Sequence, residues 1–226
     1  MRIPPAATDF YEFCAAARTE LTMKAEQLKE TNFELLKSID GIWHPNGFVV
    51  FHLNKTHHLG NLRLHIWPEN ERVTRPNGAT IHTHAWHLCS LVIRGSYAET
   101  LFESAQPGEL EAKKYFSASI DYLRDQNAIS NPRLSILKPT VTATVRSVEF
   151  HEVAASIPHE THIPNKSFTA TLLFTSPPVA EEVLVYSDGE VQMGTYERPV
   201  VAREQKTALI NQLLVKESSK LGRKNE

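Results

Sequence analysis

Residues 81–102 read IHTHAWHLCSLVIRGSYAETLF, and the pattern in this stretch decides the fold. His82 and His84 alternate around Thr83, and an apolar run then leads to Gly95. Alternate residues of an extended strand share a face, so both imidazoles are expected to point into one cavity. Two converging imidazoles make half of a transition-metal site. The other half must come from elsewhere, and SIPHETHIPN (156–165), with His159 and His162, offers it.

On either side of this stretch the same period recurs. GFVVFH (47–52) and LRLHIW (62–67) are β-rich runs joined by a polar, glycine-containing link. Residues 68–78 form a loop with Pro76-Asn77-Gly78 as its turn signal. Short strands are expected over 79–84, 88–93 and 97–102. Residues 109–115 fit a short helix or part of a long hairpin, and 118–131 fit helix or loop equally. Further extended runs cover 134–137, 141–153 and 167–175, with Val141, Ala143 and Val145 on one face. Strands at 183–186 and 190–196 flank Asp188-Gly189, the strongest hairpin signal in the chain.

Both ends read differently. Thr8 or Asp9 can cap a helix through Phe10, Phe13, Cys14 and Ala17, and Leu28, Phe33, Leu35 and Leu36 keep helical spacing after it. Residues 202–216 form an amphipathic helix carrying Ala208, Leu209, Leu213 and Leu214, followed by a charged tail. Many short strands with turn signals every eight to twelve residues or so argue for a sandwich or barrel. A jelly roll leaves a cavity between its sheets.

Composition narrows the function. The 226 residues are 41% hydrophobic and 22% charged, as in ordinary globular proteins. A net charge of −2 gives no basic footprint for nucleic acid. No apolar run approaches the roughly 20 residues of a membrane span, and MRIPPAATDF lacks the apolar region of a signal peptide. Two cysteines make no disulfide framework. A cytoplasmic protein is expected, as a monomer or a homodimer. No Gly-x-Ser-x-Gly elbow and no phosphate-binding glycine loop occurs.

The HTHAWHLC…GSYAETLF segment resembles the first motif of the cupin superfamily, in which two alternating histidines precede a glutamate and then a glycine. The second cupin motif supplies one more histidine after a turn, and Ile157-Pro158-His159 ahead of the strand at 168–175 is similar to it. His162 competes for that role. The motif glutamate is absent: Leu88 or Cys89 stands in its place, so three imidazoles are expected rather than two imidazoles and a carboxylate. The pattern is similar to that of the cysteine dioxygenase branch, in which three histidines bind iron and a cysteine replaces the glutamate. An arginine on an early strand binds the substrate carboxylate in those enzymes, and Arg63 resembles it in placement. The family's serine, histidine and tyrosine before Ser-Pro-Pro are replaced by Thr171, Leu173 and Thr175. Neither a cysteine–tyrosine cross-link nor the tyrosine acid/base group carries over, and cysteine itself is not the expected substrate.

The resemblance implies an all-β cupin jelly-roll barrel over 41–200. An N-terminal helical extension (1–40) and a C-terminal helix and tail (201–226) are added to it. His82, His84 and His159 are the expected ligands of Fe(II), with zinc or manganese as alternatives. Arg63, His65 and Trp86 are candidates for binding a small anionic substrate that reacts with O2. His87 and Cys89 are candidate catalytic residues. His87 reads equally as a fourth ligand, an acid/base group or a surface residue, and Cys89 equally as a thiol or an inert small hydrophobe. An isomerase, lyase or hydrolase with zinc or manganese, and a non-enzymatic small-molecule binder, are the alternative functions.

Overall fold

Asp9 caps helix α1 (Phe10–Glu30), its carboxylate accepting from the backbone N–H groups of Tyr11 and Glu12 at 2.9 and 3.0 Å. The computed structural model describes residues 9–70, 72, 79–122 and 126–215. The turn expected at 76–78 and the tail from 216 lie outside the described residues. Cys14, Ala17, Leu21, Ala25 and Leu28 recur three or four apart along α1 and, with Phe13 beside Cys14, form its buried stripe. The helix stops where Asn32 and Phe33 take φ of 48° and 55°, values a right-handed helix cannot hold. Leu28 therefore belongs to α1, and the run after it is one short turn, α2 (Leu35–Ser38).

The strands are β1 (Gly41–His44), β2 (Phe48–His57), β3 (Gly60–Trp67), β4 (Ile81–His82), β5 (Leu88–Arg94), β6 (Ser96–Ser104) and β7 (Lys113–Tyr122). They continue with β8 (Gln126–Arg146), β9 (Phe150–Val153), β10 (His159–His162), β11 (Thr169–Thr175), β12 (Leu184–Ser187) and β13 (Gly194–Glu197), before helix α3 (Arg203–Leu214). They form two antiparallel sheets. One runs β1-β2-β3-β11-β5-β9, and the other β13-β8-β6-β10-β4-β12-β7, with β8 also paired to β7. The chain is thus mostly β, with a helix at each end. No helix among the described residues is long and apolar enough to cross a membrane.

Strand parity sets the layers. Val49 and Phe51 of β2, Leu62, Leu64 and Ile66 of β3, Cys89 and Leu91 of β5, and Leu172 and Phe174 of β11 pack with the stripe of α1. Their alternates Phe48, Val50, Trp67 and Val92 pack instead against Tyr97, Val145 and Ile163 from the other side. With both faces covered, β11 is buried at all seven positions. Gly95 makes the β5–β6 turn at φ 75°, and a Cβ there would run into the Phe168 carbonyl oxygen.

The structure departs from expectation in three places. β7 and β8 pair along their length as a long hairpin, which meets the hairpin alternative at 109–115 but puts strand where 118–131 were expected as helix or loop. Its polar positions hid the strand signal, because Ser117 and Ser119 are buried but satisfied by Ser135 Oγ at 2.7 Å and Glu182 Oε1 at 2.7 Å. Of the face expected at 141–145, only Val145 is buried. Asp188-Gly189 joins no hairpin: both edges of β12 are taken by β4 and β7, and β13 pairs with β8.

Candidate metal centre

His82 and His84 do not share a regular strand. β4 is only two residues long, and the chain is pinned by Thr83, whose N–H donates to Leu184 O at 2.9 Å while its hydroxyl accepts from Leu184 N–H at 2.8 Å. The carbonyl of His84 accepts from Ser156 N–H at 2.9 Å, tying it to the turn before β10. Across that junction His159 stands opposite His82 in the β4–β10 pairing.

The three rings converge. Their centroids lie 4.8 Å (His82–His84), 4.5 Å (His82–His159) and 4.9 Å (His84–His159) apart. One ring nitrogen from each falls within 4.8 Å of the others, a spacing that could hold a metal ion. His82 Nδ1 is 2.9 Å from Thr80 O, and His159 Nδ1 is 2.9 Å from Ile157 O. A carbonyl only accepts, so each Nδ1 carries a proton, and in the neutral ring Nε2 then keeps its lone pair. His84 Nδ1 is buried without a hydrogen-bond partner among the described residues. Burial first, and the neighbouring imidazoles second, hold His84 and His159 well below the ordinary histidine pKa. Neutral imidazole is the form that binds a metal.

The rings face a cavity of about 550 Å³ walled by both sheets. Arg63, His65 and Trp86 line it. The Arg63 guanidinium lies 5.0 Å over the Trp86 ring, and Trp86 stacks on His84 at 5.4 Å with 15° between planes. His65 is held far below its ordinary pKa by burial and by Arg63, and its Nε2 has no partner among the described residues.

His87 and Cys89 are placed elsewhere. The His87 ring packs 5.3 Å from Phe10 of α1, and its Nδ1 accepts from Ala155 N–H at 3.0 Å. Cys89 is fully buried beside Cys14 of α1, and hydrogen bonding to Cys14 and burial keep its thiol protonated. Neither lines the cavity. His162 is exposed and outside the cluster, which leaves His159 as the third member.

Other residues line the same cavity: His44 and His52, expected from the sequence to be solvated at loops or strand ends, His151, expected to be structural, and Glu99 and Arg198, which the sequence did not single out. His52 shares strand parity with Phe48 and Val50, and Glu99 with Tyr97, so alternation was the available signal for both. A second trio of ligand-type atoms, Cys14, Cys89 and Glu152, also lies within 4.8 Å, beneath α1.

No family model and no curated protein matches the chain. Among solved structures the chain is similar to one described as the crystal structure of Drosophila melanogaster CENP-C bound to CAL1. The match is 10% identical, covers 68% of this chain and 99% of that one, and has a TM-score of 0.36. So low a score carries no argument about fold or function. The functional reading rests on the residues.

Proposed function

We propose that this chain is a metal-dependent cupin enzyme, a non-haem Fe(II) dioxygenase that oxidises a small anionic organic molecule with O2. The observation that carries the reading is the convergence of His82, His84 and His159 on one cavity. Two packed antiparallel sheets with a helix at each end are compatible with a cupin jelly roll.

The residues fit a divalent ion on three counts. All three rings stand at one junction of β4 and β10, two have Nδ1 tied to a carbonyl so that Nε2 is available, and His84 keeps a buried nitrogen without a hydrogen-bond partner among the described residues. Iron bound there would supply the one-electron chemistry that lets a closed-shell substrate react with O2. Three neutral donors leave an ion's charge uncompensated, which favours an anionic ligand. Arg63, packed on Trp86, offers the two-pronged donor set a carboxylate takes. Val50, Leu88 and Leu173 give the cavity apolar wall between these groups.

Elemental analysis of protein purified without added metal should find iron. Oxygen uptake should follow addition of candidate carboxylates or thiols and be abolished in His84→Ala. Zinc or manganese without oxygen uptake would move the chemistry to isomerase, lyase or hydrolase type. Uptake unchanged in His84→Ala would remove the histidine cluster from the reaction.

A further inference from the structure

The histidine cluster and Arg63 leave a buried carboxyl in the cavity wall without a role. Glu99 on β6 faces Thr161 in the β6–β10 pairing, two residues along from the His159–Leu101 pair. Two residues of strand span about 7 Å, so this carboxyl stands one step along the wall from the imidazoles. It lines the cavity, yet only 3% of it is exposed. Thr161 Oγ1 donates to Oε2 at 2.6 Å. Oε1 has no hydrogen-bond partner among the described residues. Burial pushes the pKa of Glu99 up to about 8, and no described cation opposes that shift. A carboxyl so placed needs a proton or a cation.

Its surroundings suit a cation. Tyr97 lies two residues back on the same strand face, and the Trp67 ring stacks 6.4 Å from Tyr97; both line the cavity. Aromatic rings attract ammonium groups. Thr161 spends its proton on Glu99 and keeps oxygen lone pairs for a further donor. With a hydroxyl ligand the carboxyl keeps its proton and makes only a neutral hydrogen bond, whereas an ammonium lets it ionise into a stronger charge-assisted pair. Arg63 belongs to the other sheet, so anion and cation subsites occupy opposite walls.

We infer that Glu99, assisted by Thr161, is the specificity-determining residue of this cavity and binds a protonated amine of the ligand. The substrate is then a small carboxylate carrying an amine on a separate carbon chain position, not a plain carboxylate. This rests on the reading of the cavity as a substrate site.

The test uses the full chain and two matched series, short ω-aminoalkanoates and ω-hydroxyalkanoates of graded length. Binding is followed by calorimetry, and metal content is measured on the same samples. Wild type should bind the best amine roughly ten- to a hundredfold more tightly than its hydroxyl counterpart, the range for a hydrogen bond to a charged group. Glu99→Gln should erase that preference while holding as much metal as wild type. Equal binding of the two series by wild type, or binding of neither, overturns the inference without any variant. So does a preference that survives in Glu99→Gln. A wild type that prefers amines but holds no metal would sink the iron reading alone; one that holds iron without preferring amines would sink this inference alone.

Discussion

Among the described residues, two trios of ligand-type side chains lie within the same 4.8 Å spacing, one on the seven-stranded sheet facing the cavity and one between the six-stranded sheet and α1, and only one has the makings of a metal centre. In the outer trio, Glu152 is occupied by Arg18 Nε at 2.6 Å. Cys89 Sγ lies 3.9 Å from Glu152 Oε1 and 4.0 Å from Cys14 O, sealed beneath α1. An ion there would have to displace a partly exposed guanidinium from Glu152 and the proton from a buried thiol. The histidine trio asks for none of this. Burial keeps His84 and His159 neutral, the Nδ1 atoms of His82 and His159 are turned to backbone carbonyls, and a cavity stands in front of the rings. Proximity of donors is common; what distinguishes a site is free lone pairs and room.

The largest effects should separate the trios outright. His84→Ala or His159→Ala should weaken metal binding about a hundredfold or more, since each imidazole contributes a share of the binding free energy. Cys89→Ala should leave metal content unchanged. Elemental analysis of the three proteins decides it, and metal lost from Cys89→Ala but kept in His84→Ala would invert the comparison. Next in size is Arg63→Ala: if Arg63 pairs bidentately with the carboxylate of the proposed anionic substrate, KM should rise about ten- to a hundredfold with metal retained. An unchanged KM would place Arg63 outside substrate binding.

The histidine trio was legible because its spacing is local: His-x-His on one side and Pro-His on the other, with β4–β10 pairing to join them. The placement of His87 and Cys89 was legible too, but through parity rather than motif. Carried on from His82 and His84, the even positions continue through Trp86 and Leu88 to Ser90, all lining the cavity. His87, Cys89 and Leu91 fall on the odd face, toward α1. The motif comparison placed Cys89 by analogy with a glutamate and overrode that alternation. His44 and Arg198 were not legible, because a long-range bridge between Ile42 and Val200 brings their segments together. The β7–β8 hairpin was obscured by serines whose hydroxyls find partners only after the strands pair.

The two faces should also answer pH in opposite directions. Burial lowers His151 from 6.5 to about 4, and burial with Arg63 lowers His52 to about 4. Above pH 6.5 these imidazoles are neutral in both states. As pH falls from there toward 4, the unfolded chain takes protons that the folded one refuses, so stability drops across that window and levels off below it. Cys89 shifts the other way: its thiol is raised above 9.0 when folded. The unfolded thiol ionises as pH rises past 9.0 while the folded one does not, and stability falls on the alkaline side. Urea midpoints measured against pH should show the acid limb flattened in His151→Gln and the alkaline limb flattened in Cys89→Ala. The reverse assignment would contradict the layering.

The smallest effect expected comes from Cys89→Ser, and it sharpens the comparison most. At a metal ligand, exchanging thiol for hydroxyl removes the soft donor and the ion with it. At a buried packing position it adds a hydroxyl that needs a stronger hydrogen bond than the 3.9–4.0 Å contacts around Sγ provide. The cost should be about 1–3 kcal/mol of stability, the penalty for a poorly satisfied buried hydroxyl, with metal content and ligand affinity untouched. Denaturant unfolding reads the first quantity and elemental analysis the second. Loss of metal without loss of stability would show that the outer trio, not the histidines, holds the ion.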